Sequence, residues 1–169
     1  MLNTPWPELR IAGTIPESIT DGPGFRYVIF TQGCPHHCPG CHNPQTHPFE
    51  GGEVADVEKI LAEIAEDPLL AGVTLSGGEP FCQAAALLPI ARAVKAMGKT
   101  VMAYSGWTHT QLRNLAEKDE AVGELLSLCD ILVDGPFIEA ERDLTLLYRG
   151  SRNQRVLELN QGHIVREIK

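Results

Sequence analysis

The chain has 169 residues, 43% of them apolar, and 14 Lys plus Arg against 22 Asp plus Glu give a net charge of −8. That length suits one domain over residues 1–169 with a sizeable core. The acidic balance argues against a general grip on nucleic-acid backbones, and no apolar run reaches the roughly 20 residues that span a bilayer. Residues 1–10 hold two prolines and no apolar core of the kind a signal peptide has, so a cytoplasmic protein without a membrane or nucleic-acid partner is expected.

In chain order, residues 8–15 predict a first extended segment with Gly13 as its weak spot, and the β-branched and aromatic run 25–31 predicts a strand. Residues 32–52 then hold four prolines, four glycines and four of the six histidines, which is loop composition. So long a loop in a compact domain is usually functional. Val54, Val57, Ile60, Leu61 and Ile64 mark one face of a helix ending near Pro68. A buried strand is expected over 70–75, a turn at 76–80, and a second helix through Leu87, Ile90, Ala91 and Val94, with Gly98 at its C-terminal cap. Residues 100–104 read as a third strand. Thr108 and Gln111 have the spacing of a capping box opening a third helix. A further short helix precedes a fourth strand at 130–133, and 154–159 and 163–168 read as short strands. Strands alternating with helices argue for an α/β protein with a parallel sheet. A full eight-unit barrel takes about 250 residues, so this chain has room for roughly half to three quarters of one, with an open side. Chemistry in such folds sits where strands end. Both unusual segments, 32–44 and 76–80, follow expected strands.

Five cysteines are present, and three of them, Cys34, Cys38 and Cys41, fall within eight residues at C-x3-C-x2-C spacing. Clustered thiols in a cytoplasmic protein point to metal or redox chemistry rather than disulfide staples. An iron–sulfur cluster held by only three thiolates leaves one iron open to a substrate, as catalytic metal sites do. The same segment also allows a zinc site completed by His36, His37 or His42. Cys82 and Cys129 read as small buried apolar residues. The turn Ser76-Gly77-Gly78-Glu79-Pro80 opens a helix, as phosphate-binding loops do. Glu79 repels phosphate and attracts an amine, and no P-loop Lys-Ser or Lys-Thr follows. Glu79 alternatively serves only to stabilise the helix start. Together, an open iron and an amine acceptor suit an amino acid that chelates iron.

At these residues the sequence resembles the radical S-adenosylmethionine superfamily, and more closely its branch that activates anaerobic ribonucleoside-triphosphate reductase, a glycyl radical enzyme. Asp21-Gly22-Pro23-Gly24-Phe25-Arg26, the cluster loop 32–44, the Gly-Gly-Glu turn, Asp134-Gly135-Pro136-Phe137 and Tyr148 to Gln154 carry the resemblance. It implies an incomplete parallel β/α barrel. It implies an oxidoreductase whose 4Fe–4S cluster, held by Cys34, Cys38 and Cys41, cleaves S-adenosylmethionine reductively and places a radical on a glycine of a partner enzyme. It also implies a reduced electron donor such as a flavodoxin or ferredoxin. Carried over by position, Gly77, Gly78 and Glu79 would hold the methionine amino group. Gly40 and His42 would lie against the adenosine, and Asp134 would contact the ribose or amine. An Asp that merely forms the turn before Gly135 fits that last position equally well. Gly40 stands where many superfamily members place an aromatic residue, as in the reductase-activating branch. Pro136 replaces the lysine of related activators, so no cation is offered at that point. Arg149, Arg152 and Arg155 form a small basic group, read either as partner recognition or as solvated surface charge. The alternatives kept open are another radical target, or a zinc or iron–sulfur module that only binds.

Overall fold

The computed structural model describes residues 6–168. Eight strands form one open sheet in the order β3-β1-β2-β4-β5-β6-β7-β8. They are β1 (Arg10–Ser18), β2 (Phe25–Thr31), β3 (Glu53–Val54), β4 (Leu70–Gly77), β5 (Thr100–Tyr104), β6 (Ile131–Asp134), β7 (Arg155–Asn160) and β8 (His163–Ile168). The central four, β2-β4-β5-β6, pair in parallel. Helices α1 (Val57–Glu66), α2 (Ala84–Ala96), α3 (His109–Ala116) and α4 (Glu120–Leu128) connect them. This is the expected α/β sheet with its barrel left incomplete. The flanks differ from a parallel array, because β1, β3, β7 and β8 all run antiparallel to their neighbours. After Asp134 the chain returns through residues 135–154 without an α-helix to cross the sheet, β7 pairs antiparallel with β6, and a two-residue turn joins β7 to β8 as a hairpin.

The elements follow from local chemistry. Gly13 sits at a register shift between β1 and β2, which accounts for the weakness read at that position. Thr108 and Gln111 form the full capping box. Helix α1 starts at Val57 because the Asp56 side chain accepts from Lys59 N at 3.1 Å. Val54, expected on that helix, instead pairs with Arg10 in β3. Helix α2 buries Leu87, Ile90, Ala91 and Val94 and tolerates Pro89 in its interior. Gly98 lies just past it at φ 76°.

The sheet has two faces. Val73, Leu75, Val101, Ala103 and Leu132 pack under the helices in the main core. On the opposite face Met102, Val133 and Val156 form a smaller cluster beside Tyr104 and Tyr148. Arg26 also lies on this side, 1% exposed. Its guanidinium donates to Thr74 Oγ1, Pro23 O, Thr100 Oγ1, Val73 O and Thr100 O. All five donors meet neutral acceptors, so burial pushes its pKa down to about 10. The arginine thereby anchors the loop before β2, and Thr74 Oγ1 adds a 2.8 Å bond to Asp21 O. No helix among the described residues is long and apolar enough to cross a membrane.

Candidate functional site

The C-terminal ends of the parallel strands surround a cavity of about 350 Å³. That volume suits a small-molecule ligand. Cys34, Cys38 and Cys41 all line it, opposite Ser76, Gly77 and Gly78. The loop after β2 and the turn after β4 therefore meet across one space, as their positions after strands led one to expect. His42 lines the cavity as well and packs edge-on against Phe137 at 5.2 Å.

Backbone bonds strap the cysteine loop in place. Gly33 N donates to Thr46 O, Cys34 N to His47 O and Glu79 N to Gly33 O. Gln32 and Gln83 add side-chain bonds to the loop's ends. Glycine is required at Gly77 and Gly78 for packing. Gly77 has φ 90° and lies against the Thr31 backbone, and a Cβ on Gly78 would collide with Gly33 O. The two glycines thus let the turn touch the cysteine loop.

Glu79 is wholly buried, and its carboxylate is not part of the cavity lining. Oε2 accepts from Phe81 N at 3.1 Å. Oε1 accepts from Ser105 Oγ and Gly106 N, each at 2.8 Å, and from His36 Nε2 at 2.7 Å. One carboxylate therefore ties the helix start after β4, the end of β5 and the cysteine loop together. His36 also packs edge-on against Trp107 at 4.7 Å, which gives that tryptophan a place in the site. The sequence gives no hint that Ser105 and Gly106 serve Glu79, although both stand at a strand end, where such residues are to be sought.

Asp134 sits behind the site. It is 1% exposed, pairs with Arg155 through Nε at 3.1 Å and Nη2 at 2.6 Å, and accepts from His109 N. Neither Asp134 nor Gly40 is among the lining residues. Gly40 has φ 74° and packs against Glu139, so its lack of a side chain serves loop closure. The three arginines do not form one basic group. Arg155 holds Asp134, Arg152 is exposed, and Arg149 lines the cavity. Residues that sequence reading left without a role, including Asp21, Tyr104, Phe137 and Tyr148, also line it.

The thiols suit an iron–sulfur cluster. None is in a disulfide, and all three face one cavity. Burial pushes the Cys34 thiol up, and the charges of Glu79, Cys38 and Cys41 push it further. Bound metal reverses that effect, since a coordinating thiol is deprotonated outright. Asn43 N lies 3.5 Å from Cys41 Sγ, the backbone N–H to sulfur contact that tunes cluster potentials. Among the described residues no three His, Cys, Asp or Glu side chains converge on a single-ion position. His36, His37 and His42, weighed as zinc ligands, each pack against another ring. Cys129 is buried as expected, and its thiol is pushed up to about 12. Cys82, expected to be buried, is exposed, because the single 3-10 turn after Pro80 faces it outward.

Comparison with known proteins places the chain. Residues 20–157 match the family model of the 4Fe-4S single cluster domain. A Vibrio cholerae protein named anaerobic ribonucleoside-triphosphate reductase-activating protein is 36% identical over 147 residues, 82% of this chain and 91% of its own. The Escherichia coli K12 protein of the same name is 32% identical over 152 residues, 85% of this chain and 95% of its own. That of enterobacteria phage T4 is 29% identical over 153 residues, 87% and 92% of the two chains.

Proposed function

The chain belongs to the 4Fe-4S single cluster domain family and to the anaerobic ribonucleoside-triphosphate reductase-activating proteins, and from that premise we propose that it is a radical S-adenosylmethionine enzyme that places a glycyl radical on such a reductase. The observation that carries the reading is the shared cavity. Three free thiols and a Gly-Gly turn, 36 residues or more apart in sequence, line one space at the ends of parallel strands.

In this reading Cys34, Cys38 and Cys41 hold the cluster. Bound there and reduced, the cluster would supply the one electron needed for reductive cleavage of S-adenosylmethionine to methionine and 5′-deoxyadenosine, the hydrogen atom coming from the partner's glycine. The electron comes from a reduced donor such as a flavodoxin or ferredoxin, in the cytoplasm. The chain's own residues bind, orient and exclude water. Gly77 and Gly78 offer backbone to the methionine amino group, with the Glu79 charge directly behind them. His42, backed by Phe137, lies against the adenosine, and Gly40 shapes that loop. Asp134 acts through Arg155 and the start of α3 rather than by touching the ligand, which is supported by its burial and its bonds.

The test is anaerobic. The protein is reconstituted with iron and sulfide, reduced and given S-adenosylmethionine, and 5′-deoxyadenosine is quantified beside Cys38→Ala. Product that vanishes in the variant supports the reading. A fully loaded, reduced protein that makes none contradicts it and favours a module that only binds.

A further inference from the structure

His36 stands midway between Cys34 and Cys38 and lines the cavity with both of them. Its side chain is anchored twice. Nε2 donates to the wholly buried Glu79 Oε1 at 2.7 Å, and the ring packs edge-on against Trp107 at 4.7 Å. The ring also lies on the bare backbone of Gly106, where a Cβ would stand 2.4 Å from His36 Cδ2. Trp107 is held in turn: it packs against the main core, and its N–H donates to Ser105 Oγ, which donates to Glu79 Oε1.

Glu79 does not need the histidine. Phe81 N, Ser105 Oγ and Gly106 N already donate to its carboxylate, so the fourth bond serves the loop that His36 belongs to. That loop needs an anchor. His37, the next residue, has φ 49°, a left-handed conformation that a residue other than glycine keeps only where its surroundings hold it. The turn lies between Cys34 and Cys38, so it sets the spacing of their sulfurs. The His36 backbone N–H also lies toward the Cys34 sulfur and favours its thiolate. N–H groups near the sulfurs of a cluster raise its reduction potential, because they stabilise the negative charge that reduction adds.

We propose that His36 is a positioning residue for the iron–sulfur cluster: its ring, fixed by Glu79 and Trp107, holds the left-handed turn between Cys34 and Cys38 with its N–H toward the Cys34 sulfur, and so eases one-electron reduction. The inference rests on the functional reading above. It gives the cluster loop and the Gly77-Gly78 turn a shared anchor in the Glu79 carboxylate.

Anaerobic redox titration of the reconstituted protein, followed by electron paramagnetic resonance, tests this with His36→Leu and His36→Gln. His36→Leu is expected to make one-electron reduction about tenfold less favourable, the worth of one charge-assisted hydrogen bond, which is a potential about 59 mV lower. His36→Gln keeps an N–H donor for Glu79 and should recover part of that shift. A merely structural role would lower iron content or melting temperature and leave the potential of the loaded fraction unchanged, and that result overturns the proposal. A potential as low in His36→Gln as in His36→Leu overturns it too. If His36→Leu takes up no cluster, Trp107→Leu replaces it, removing the ring packing while leaving the Nε2 bond: a smaller lowering of the potential supports the proposal, and none overturns it. A wild type that takes up zinc, or no four-iron cluster, overturns the functional reading itself, which is a separate result from a loaded protein whose potential is indifferent to His36.

Discussion

The two walls of the cavity are built differently. The wall made by the cysteine loop and the ends of β4 and β5 is cross-tied by one buried carboxylate, Glu79, which takes four hydrogen bonds from three segments, and leaves one buried polar atom, His47 Nε2, unpartnered. The wall made by residues 135–154 leaves polar groups open, with Arg149 Nε and Asn153 Oδ1 buried and unpartnered, and it exposes Leu144 and Leu147 by more than half. The first wall is held together by side-chain bonds between its own segments. The second holds one buried donor and one buried acceptor without a partner, and two exposed leucines. Preorganised support around a catalytic group and unfilled contacts toward its substrate are what an enzyme acting on a large partner needs.

Substitutions can break or sharpen that contrast. Glu79→Gln removes the charge and sets an amide N–H₂ against donors, and it is expected to destabilise by about 3 kcal/mol. That corresponds to a melting point about 6–12 °C lower, read by differential scanning calorimetry. Gly78→Ala drives a Cβ into Gly33 O and should cost about 2 kcal/mol. It should also loosen the cysteine loop, so that iron retained after gel filtration falls along with the melting point. Arg149→Gln, on the open wall, should leave stability within about 0.5 kcal/mol. If Arg149→Gln destabilised as much as Glu79→Gln, the contrast between the walls would be false.

A pH-dependent effect concerns a thiol outside the site. Cys129 has its folded pKa raised to about 12 by burial. A group raised on folding contributes stability fully present below its unfolded pKa, about 8.5, and lost as pH rises toward the folded value. Urea stability should therefore fall between pH 9 and 11, and Cys129→Ala should remove about 1.4 kcal/mol per pH unit from that slope.

Much of this was legible in the sequence. The run 25–31 forms a strand with those bounds, the Thr108–Gln111 box caps α3, and both the cysteine loop and the Gly-Gly turn stand at strand ends. These features depend on residues close in sequence. What was not legible depends on pairing across the sheet. Val54 has helical spacing, but Arg10 captures it in β3. Asp134 sits at a strand end as a ligand contact would, but the antiparallel return of β7 places Arg155 opposite it. Glu79 follows the glycines, but Ser105, Gly106 and His36 turn its carboxylate beneath the floor. Arg149 looked like surface charge because nothing in its own segment shows that Gln154 folds that segment against Gly135.

The central claim is that three thiolates on this loop hold a cluster with one iron open to the ligand. Electron paramagnetic resonance of the reduced, reconstituted protein, with and without S-adenosylmethionine, tests it most directly. The account predicts a 4Fe–4S signal that changes on adding S-adenosylmethionine and is absent in Cys38→Ala but retained in Cys82→Ala. A spectrum indifferent to S-adenosylmethionine, or one zinc per chain in place of iron and sulfide, would contradict it.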